Sequence, residues 1–387
     1  MSETVHLGLA ESDLERLGGL WTAREIAQQP AMLRETQNLL MQRRAEIEAF
    51  LAPLIAQPNL RVILTGAGTS AFAGECLAPV LSRRLGRRVE AVATTDLVCA
   101  PHLYLEADTP TLLVSFGRSG NSPESVAAIE LADRLVKSPS HLVITCNADG
   151  ALARYGKGPR GFTVQLPEAT HDRSFAMTSS FSCMTYAALA AFSGIASMES
   201  RIDSIARAAE AVIAQYTTVM KAAAAEGYQR VVYLGSAIFK GLAREAGLKL
   251  LELTNGDLVT MFDSPLGFRH GPKTIVNDRT LIVVFFSNDA YTRSYDVDLL
   301  EELRRDNDAA RVIAVTAQDG VGLPEQDEVR VPGLAFAEDV DLLFAYIVAP
   351  QILAFFESLR RGLTPDNPNT SGTVNRVVQG VRIHELS

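Results

Sequence analysis

The stretch Arg61-Val62-Ile63-Leu64 returns as Arg230-Val231-Val232-Tyr233-Leu234, and Thr111-Leu112-Leu113-Val114 returns as Thr280-Leu281-Ile282-Val283, both at an offset of 169 residues. Asp149-Gly150 and Asp319-Gly320 extend the match at an offset of 170. A period that long belongs to a whole domain, not to a solenoid repeat, so the chain is read as two tandem copies of one fold. The repeated stretches are short unbroken apolar runs, the pattern of strands buried on both faces of a parallel sheet. Helical patterns separate them. In the first copy strands are expected at 61–65, 89–93, 111–115, 141–145 and 162–166, with helices ending near 85, at 123–136 and at about 177–192. This is an α/β chain of two doubly wound, flavodoxin-like parallel-sheet αβα sandwich domains, with ligands expected at the carboxyl ends of the strands.

The expected division is an N-terminal helical segment at 1–45, a first domain at 46–195, a second at 200–360 and a tail at 361–387. The joint between the domains is placed at 193–201. Within the N-terminal segment Thr22 reads as a helix cap, and one further helix is expected over 32–55.

Charge and composition remove several function classes. The net charge of -9 includes no long basic run, which argues against nucleic acid as a partner. The apolar stretch at 342–356 is interrupted by Pro350 and Gln351 and falls short of the ~20 residues that span a bilayer, so a buried or interface helix is expected and no membrane partner. The first twenty residues hold no apolar signal-peptide core, and Cys76, Cys99, Cys146 and Cys183 are widely spaced without a Cys-x-x-Cys pair. A reducing cytoplasmic location is expected. No His/Cys/Asp/Glu cluster has zinc spacing and no Gly-x-Ser-x-Gly elbow occurs; neither a metal nor an organic cofactor is expected.

Two strand-to-helix loops of the first copy carry the ligand signal. After 111–115 the chain runs through Gly117-Arg118-Ser119-Gly120-Asn121-Ser122-Pro123-Glu124-Ser125. Gly117 and Gly120 let backbone N–H groups converge, Ser122 or Asn121 can cap the helix, Pro123 suits its first turn, and the Ser119, Ser122 and Ser125 hydroxyls can donate to phosphate oxygens. An ordinary capped turn would read the same way. The second loop, Gly66-Ala67-Gly68-Thr69-Ser70, decides for an anion site. Its glycines also fit a dinucleotide fingerprint with Asp96 as the ribose acid, but two hydroxyl-rich loops on one sheet suit a compact phosphate better. The second copy has Leu234-Gly235-Ser236-Ala237-Ile238 and Phe286-Ser287-Asn288-Asp289 at these places, with an acid where an anion site would want none.

The second copy carries the reactive groups. Lys249 and Glu252 share a helix face among Leu248, Leu250, Leu251 and Leu253, so the pair is either a solvated ion pair or a carboxylate tuned as a general base. His270, in the turn Arg269-His270-Gly271-Pro272, is a candidate functional imidazole, and His171 is either a substrate contact or an ordinary loop residue.

These motifs resemble a known family. Gly-Ala-Gly-Thr-Ser, Gly-Arg-Ser-Gly-Asn-Ser, Leu-Lys-Leu-Leu-Glu-Leu and His-Gly-Pro resemble the tandem sugar isomerase (SIS) domains of glucosamine-6-phosphate synthase over roughly residues 25 to 387. Longer strings, among them Thr-His-Asp-Arg-Ser-Phe-Ala-Met-Thr-Ser-Ser and Ser-Gly-Thr-Val-Asn-Arg-Val-Val-Gln-Gly-Val, are similar to the galactosamine-6-phosphate deaminase/isomerase group, also described as tagatose-6-phosphate ketose/aldose isomerases. The resemblance implies a 6-phosphate held by Thr69, Ser70, Ser119, Gly120, Asn121 and Ser122. It implies catalysis by Glu252 as the base between C1 and C2, with Lys249 beside it, and ring opening assisted by His270 from across a dimer interface. Gly68, Arg118, His171, Arg173, Thr178 and Asn375 are further candidate contacts, under a C-terminal tail that covers the site.

Two departures from the synthase stand out: Gly117 replaces the first serine of its phosphate loop, and Thr373 stands near its Schiff-base lysine, with Lys273 as a conceivable substitute. The sequence holds no counterpart of the synthase's glutaminase domain, and its first cysteine is Cys76, so net deamination is expected over synthesis. The expected partner is a small sugar phosphate, and the expected assembly a homodimer or higher homo-oligomer with shared active sites. The rival readings are plain aldose/ketose isomerisation, a gluco-configured substrate, and a sugar-phosphate-binding regulator without turnover.

Overall fold

The computed structural model describes residues 3–378 and 380–386. The chain forms two compact units, each built on one five-stranded parallel sheet. The first-sheet unit comprises Ala31–Asp172, Ser179–Ile202 and the chain from Ser371 onward. The second-sheet unit comprises the chain up to Pro30, Arg173–Thr178 and Asp203–Thr370.

The first sheet contains β1 (Arg61–Thr65), β2 (Arg88–Ala91), β3 (Thr111–Gly117), β4 (Pro139–Thr145) and β5 (Gly161–Gln165), in the spatial order β2-β1-β3-β4-β5. The second contains β6 (Arg230–Gly235), β7 (Val259–Asp263), β8 (Thr280–Phe285), β9 (Arg311–Thr316) and β10 (Glu328–Arg330), in the order β7-β6-β8-β9-β10. The two orders are the same, and so is the register. Arg61 pairs with Thr111 in one sheet, and Arg230 with Thr280 in the other, reproducing the 169-residue offset residue for residue.

Both sheets are covered on both faces, which is why their strands read as unbroken apolar runs. Ile63, Leu113 and Val143 pack on one face of the first sheet with Leu97, Ala128, Ile129 and Ala132, and Ile282 and Val284 in the second with Leu299, Leu300 and Leu303. On the other face of the second sheet Phe285 stacks on Tyr346, and Tyr346 on Phe239, at ring separations of 6.1 and 5.3 Å. The apolar stretch around Leu342–Phe356 belongs to the helices Asp339–Tyr346 and Val348–Arg360 and is buried here.

Several expectations are corrected. The helix expected over 32–55 is two helices, Gln29–Gln42 and Arg44–Ile55, because Arg43 leaves helical geometry and its guanidinium reaches the Thr163 carbonyl at 2.8 Å over the Phe162 ring. The joint expected at 193–201 is mostly helix. Gly194, at φ +96°, makes the turn, and a 31-residue helix, Ile195–Ala225, follows on a buried stripe of Ile195, Met198, Ile202 and Ile205. The change of unit falls inside that helix. The N-terminal segment 1–45 divides at Pro30, and the tail 361–387 divides after Thr370.

Thr22 lies inside the helix Leu20–Ala27 and does not cap it. Asp366 caps it instead, accepting the N–H groups of Trp21 (3.1 Å) and Thr22 (2.7 Å) and the Thr22 hydroxyl (2.8 Å).

Candidate active site

In the first sheet the strand order reverses between β1 and β3, so the loops that follow these strands flank one crevice at the carboxyl edge, the usual ligand position of a doubly wound sheet. In the loop after β1, a Cβ on Gly66 would sit 2.5 Å from that of Ser70, and Gly68 adopts φ +55°. Thr69 and Ser70 then open the helix Thr69–Leu85 with their side chains almost buried.

The loop after β3 is held from behind. Asn147 Nδ2 donates to the Ser119 carbonyl (2.8 Å), the Leu152 N–H to the Gly120 carbonyl (2.9 Å) and the Thr145 hydroxyl to the Gly117 carbonyl (2.7 Å). Its carbonyl side is thus committed, Gly120 adopts φ +64°, and the Asn121 N–H turns back to the Ser119 hydroxyl at 3.3 Å. Pro123 occupies the first turn of the helix Pro123–Leu135 as expected, and Ser122 occupies the N-cap position. The expected cap bond is not made: the Ser122 hydroxyl donates to Glu124 Oε2 at 2.8 Å, while Asn121 Oδ1 accepts the Ala151 N–H and so serves a different helix.

Beside this loop Arg118 is buried and donates to the Arg376 carbonyl at 2.6 Å, and Arg376 Nε donates to the Asp172 carbonyl at 3.0 Å. The C-terminal segment is thus tied to the loop's own residue. Burial, and then the charges of Arg376 and Arg118, hold His171 below the usual imidazole range, which keeps it neutral at pH 7. Asp172 caps the helix Ser179–Ser193 by accepting the Ser180 N–H (2.9 Å) and hydroxyl (2.6 Å).

In the second-sheet unit the helix Phe239–Leu253 carries Glu245, Lys249 and Glu252 on one face. Lys249 is fully buried, 2.6 Å from Glu252 Oε2 and 3.5 Å from Glu245 Oε1. Glu245 is also fully buried, whereas the Glu252 side chain keeps 24% exposure. Glu252 is therefore a carboxylate anchored through one oxygen by a buried ammonium and open on its other side, an arrangement suited to taking a proton from a bound molecule. His270 is exposed, on a turn closed by its N–H to the Gly267 carbonyl and followed by Gly271 at φ +118°.

Comparisons with known proteins agree with this architecture. Residues 54–194 match the SIS domain. An AgaS protein of Streptomyces coelicolor is 52% identical over 369 residues, covering 95% of this chain and 96% of that protein. The protein named D-galactosamine-6-phosphate deaminase AgaS in Escherichia coli is 47% identical, with the same coverage. The chain belongs to the AgaS family of SIS-domain proteins. A solved structure, tagatose-6-phosphate ketose/aldose isomerase from Escherichia coli, superposes with a TM-score of 0.88 at 44% identity, covering 95% of this chain and 97% of that one.

Within this AgaS-family fold the expected site residues fall into three groups. Gly68, Thr69, Ser70, Arg118, Ser119, Gly120, Asn121 and Ser122 belong to the two loops at the first switch point, with His171 near Arg118. Lys249 and Glu252 are joined directly. Arg173 and Thr178 belong to the second-sheet unit, where the exposed Arg173 guanidinium lies 4.3 Å from the Trp21 ring, and Asn375 is exposed and bonds its own turn at the Gly372 carbonyl.

The departures also acquire reasons. A side chain on Gly117 would start 2.8 Å from Leu152 Cδ1, so a serine there would require the Leu152 side chain to shift. Lys273 is engaged elsewhere: although burial opposes its charge, hydrogen bonds to Asp306 and Glu302 outweigh that and favour the ammonium.

Three residues escaped the sequence reading. Glu245 was legible, because it stands four positions before Lys249 on the same face. Glu124 has the spacing of an ordinary first-turn acid. Arg376 meets its partners through carbonyl oxygens and leaves no side-chain pattern to read.

Proposed function

We propose that this chain is an aminosugar-phosphate deaminase/isomerase that converts galactosamine 6-phosphate and water to tagatose 6-phosphate and ammonia. The observation that carries the reading is the buried Lys249 ammonium bonded to the partly exposed Glu252 carboxylate. The names of the family's relatives support the substrate.

The loops after β1 and β3 bind the 6-phosphate, so that binding energy remote from the reacting carbons orients C1 and C2. His270 assists ring opening. Its exposure in the single chain fits an imidazole delivered to a second copy in a homodimer. Glu252 removes the C2 proton of the open-chain aldose and returns it to C1, leaving an iminium at C2. Water adds there and ammonia leaves, so the overall reaction is a hydrolysis. Free cysteines, three of them buried, fit a reducing cytoplasm.

The test is to incubate the full-length protein with galactosamine 6-phosphate and with glucosamine 6-phosphate, measuring ammonia and identifying the ketose. Ammonia in step with tagatose 6-phosphate is expected, and Glu252→Gln should lower turnover by ~10²–10⁴-fold while phosphate binding persists. A second reading, plain tagatose-6-phosphate ketose/aldose isomerisation, is favoured by the name of the solved Escherichia coli structure. It uses the same base without loss of ammonia, and interconversion of tagatose and galactose 6-phosphates with no ammonia from either amino sugar would select it.

A further inference from the structure

We propose that Glu124 is an internal competitor of the substrate phosphate: it holds the single proton of Ser122 in the unliganded loop and yields it when phosphate binds. The proposal rests on the reading of Ser122 as a phosphate ligand. A serine hydroxyl has one proton to donate, and an ionised carboxylate or phosphate oxygen can only accept it. Here that proton is directed at Glu124 Oε2, at 2.8 Å. As the loop stands, Ser122 cannot also donate to a phosphate.

Two features make Glu124 a rival and not just a neighbour. Its carboxylate sits in the first turn of the helix Pro123–Leu135, where it draws on the same positive helix end that an anion would use. It also repels a phosphate dianion brought to Ser122. The side chain has somewhere to go. Glu124 lines a cavity of about 690 Å³ within the first-sheet unit, whose walls also carry Arg134 and Arg382. On phosphate binding the Ser122-to-Glu124 hydrogen bond breaks, a Ser122-to-phosphate bond forms, and Glu124 turns toward this cavity. No covalent bond changes and the proton stays on Ser122. Glu124 therefore sets how strongly an anion must bind to enter the loop, without touching the chemistry at C1 and C2.

The experiment measures binding of inorganic phosphate by calorimetry, and steady-state kinetics with galactosamine 6-phosphate, for full-length Glu124→Gln, Glu124→Ala, Ser122→Ala and the Ser122→Ala/Glu124→Ala double variant. Glu124→Ala should bind phosphate about tenfold more tightly, and Glu124→Gln by an intermediate factor, because a charged acceptor no longer competes. KM should fall with no rise in kcat. With Ser122→Ala in place, the part of the Glu124→Ala gain that comes from the hydrogen bond should vanish and only the part that comes from its charge should remain, so the double variant should gain less than Glu124→Ala alone. Phosphate affinity unchanged or weakened in both Glu124 variants, with Tm preserved, would overturn the proposal. Should the alanine variant not fold, the isosteric Glu124→Gln decides alone. Phosphate affinity unaffected by Ser122→Ala overturns the ligand reading itself, a failure distinguishable from that of the competitor.

Discussion

The two sheets place the same pair of loops at the same switch point, yet the polar groups of those loops are partnered differently. At the second, the Ser287 N–H donates to Asp296 at 3.0 Å and the Ser236 hydroxyl to the same carboxylate at 2.5 Å. Asp339 accepts the Ser287 hydroxyl at 2.6 Å and the Asn288 N–H at 2.7 Å. Two side-chain carboxylates thus gather four donors at the second switch point, whereas at the first the carboxylate of Glu124 takes the Ser122 hydroxyl alone. The copy proposed as the phosphate receptor is thus the one whose loops hold fewer of their own carboxylates.

The glycines sort differently from the hydroxyls. Gly66 and Gly235 stand 169 residues apart, and in both a Cβ would lie 2.5 Å from the Cβ of the residue four positions on, Ser70 or Phe239. The strand-to-helix joint demands this glycine in the copy that holds more of its own carboxylates as much as in the one that holds fewer. The next pair has relaxed, since Gly68 at φ +55° answers to Ala237 at φ +50°.

The largest effect expected from breaking this comparison is structural. Gly66→Ala and Gly235→Ala should each cost about 3 kcal/mol in urea unfolding, despite the difference in ligand role. A neutral Gly235→Ala would make that glycine incidental. Next comes pH. Burial pushes Asp296 up to about 6, above its unfolded value near 3.8, so the folded state holds this proton more tightly. The resulting stabilisation is fully present below about pH 4 and is lost as pH rises through 6, at most about 3 kcal/mol. Asp296→Asn should flatten the stability profile over that window, and an unchanged profile would show that Asp296 does not titrate there. The smallest effect separates the proposed receptor loop from its counterpart: Ser119→Ala should weaken inorganic phosphate binding roughly tenfold, whereas Ser287→Ala should leave it unchanged.

The sequence made the fold legible where side-chain pattern and backbone agree. The matched runs at Arg61 and Arg230 anticipated the strands and the repeat of one fold, because a sheet buried on both faces admits little but apolar residues there. It was less informative where a polar group had a choice of partner. Ser122 reads as a helix cap but bonds Glu124, and Asp289 reads as the acid that spoils the second loop while the occupying carboxylates come from Asp296 and Asp339. Asp289 caps the helix Ala290–Asp306 through the Thr292 N–H. Ser193-Gly194 reads as the start of a linker, yet the apolar stripe beyond it was enough to carry a helix.

The Asp366 cap also bears on how the protein is made. The helix Leu20–Ala27 is synthesised long before its cap, for the carboxylate that accepts its leading N–H groups lies 345 residues downstream of Trp21. Gln29 likewise waits for Gln351, whose side-chain oxygen accepts from it at 2.7 Å. Contacts so distant in sequence are costly to close and form late. The helix Leu20–Ala27 therefore gains its cap only after Asp366 has been made, and the second-sheet unit is completed only after every strand of the first sheet has been synthesised.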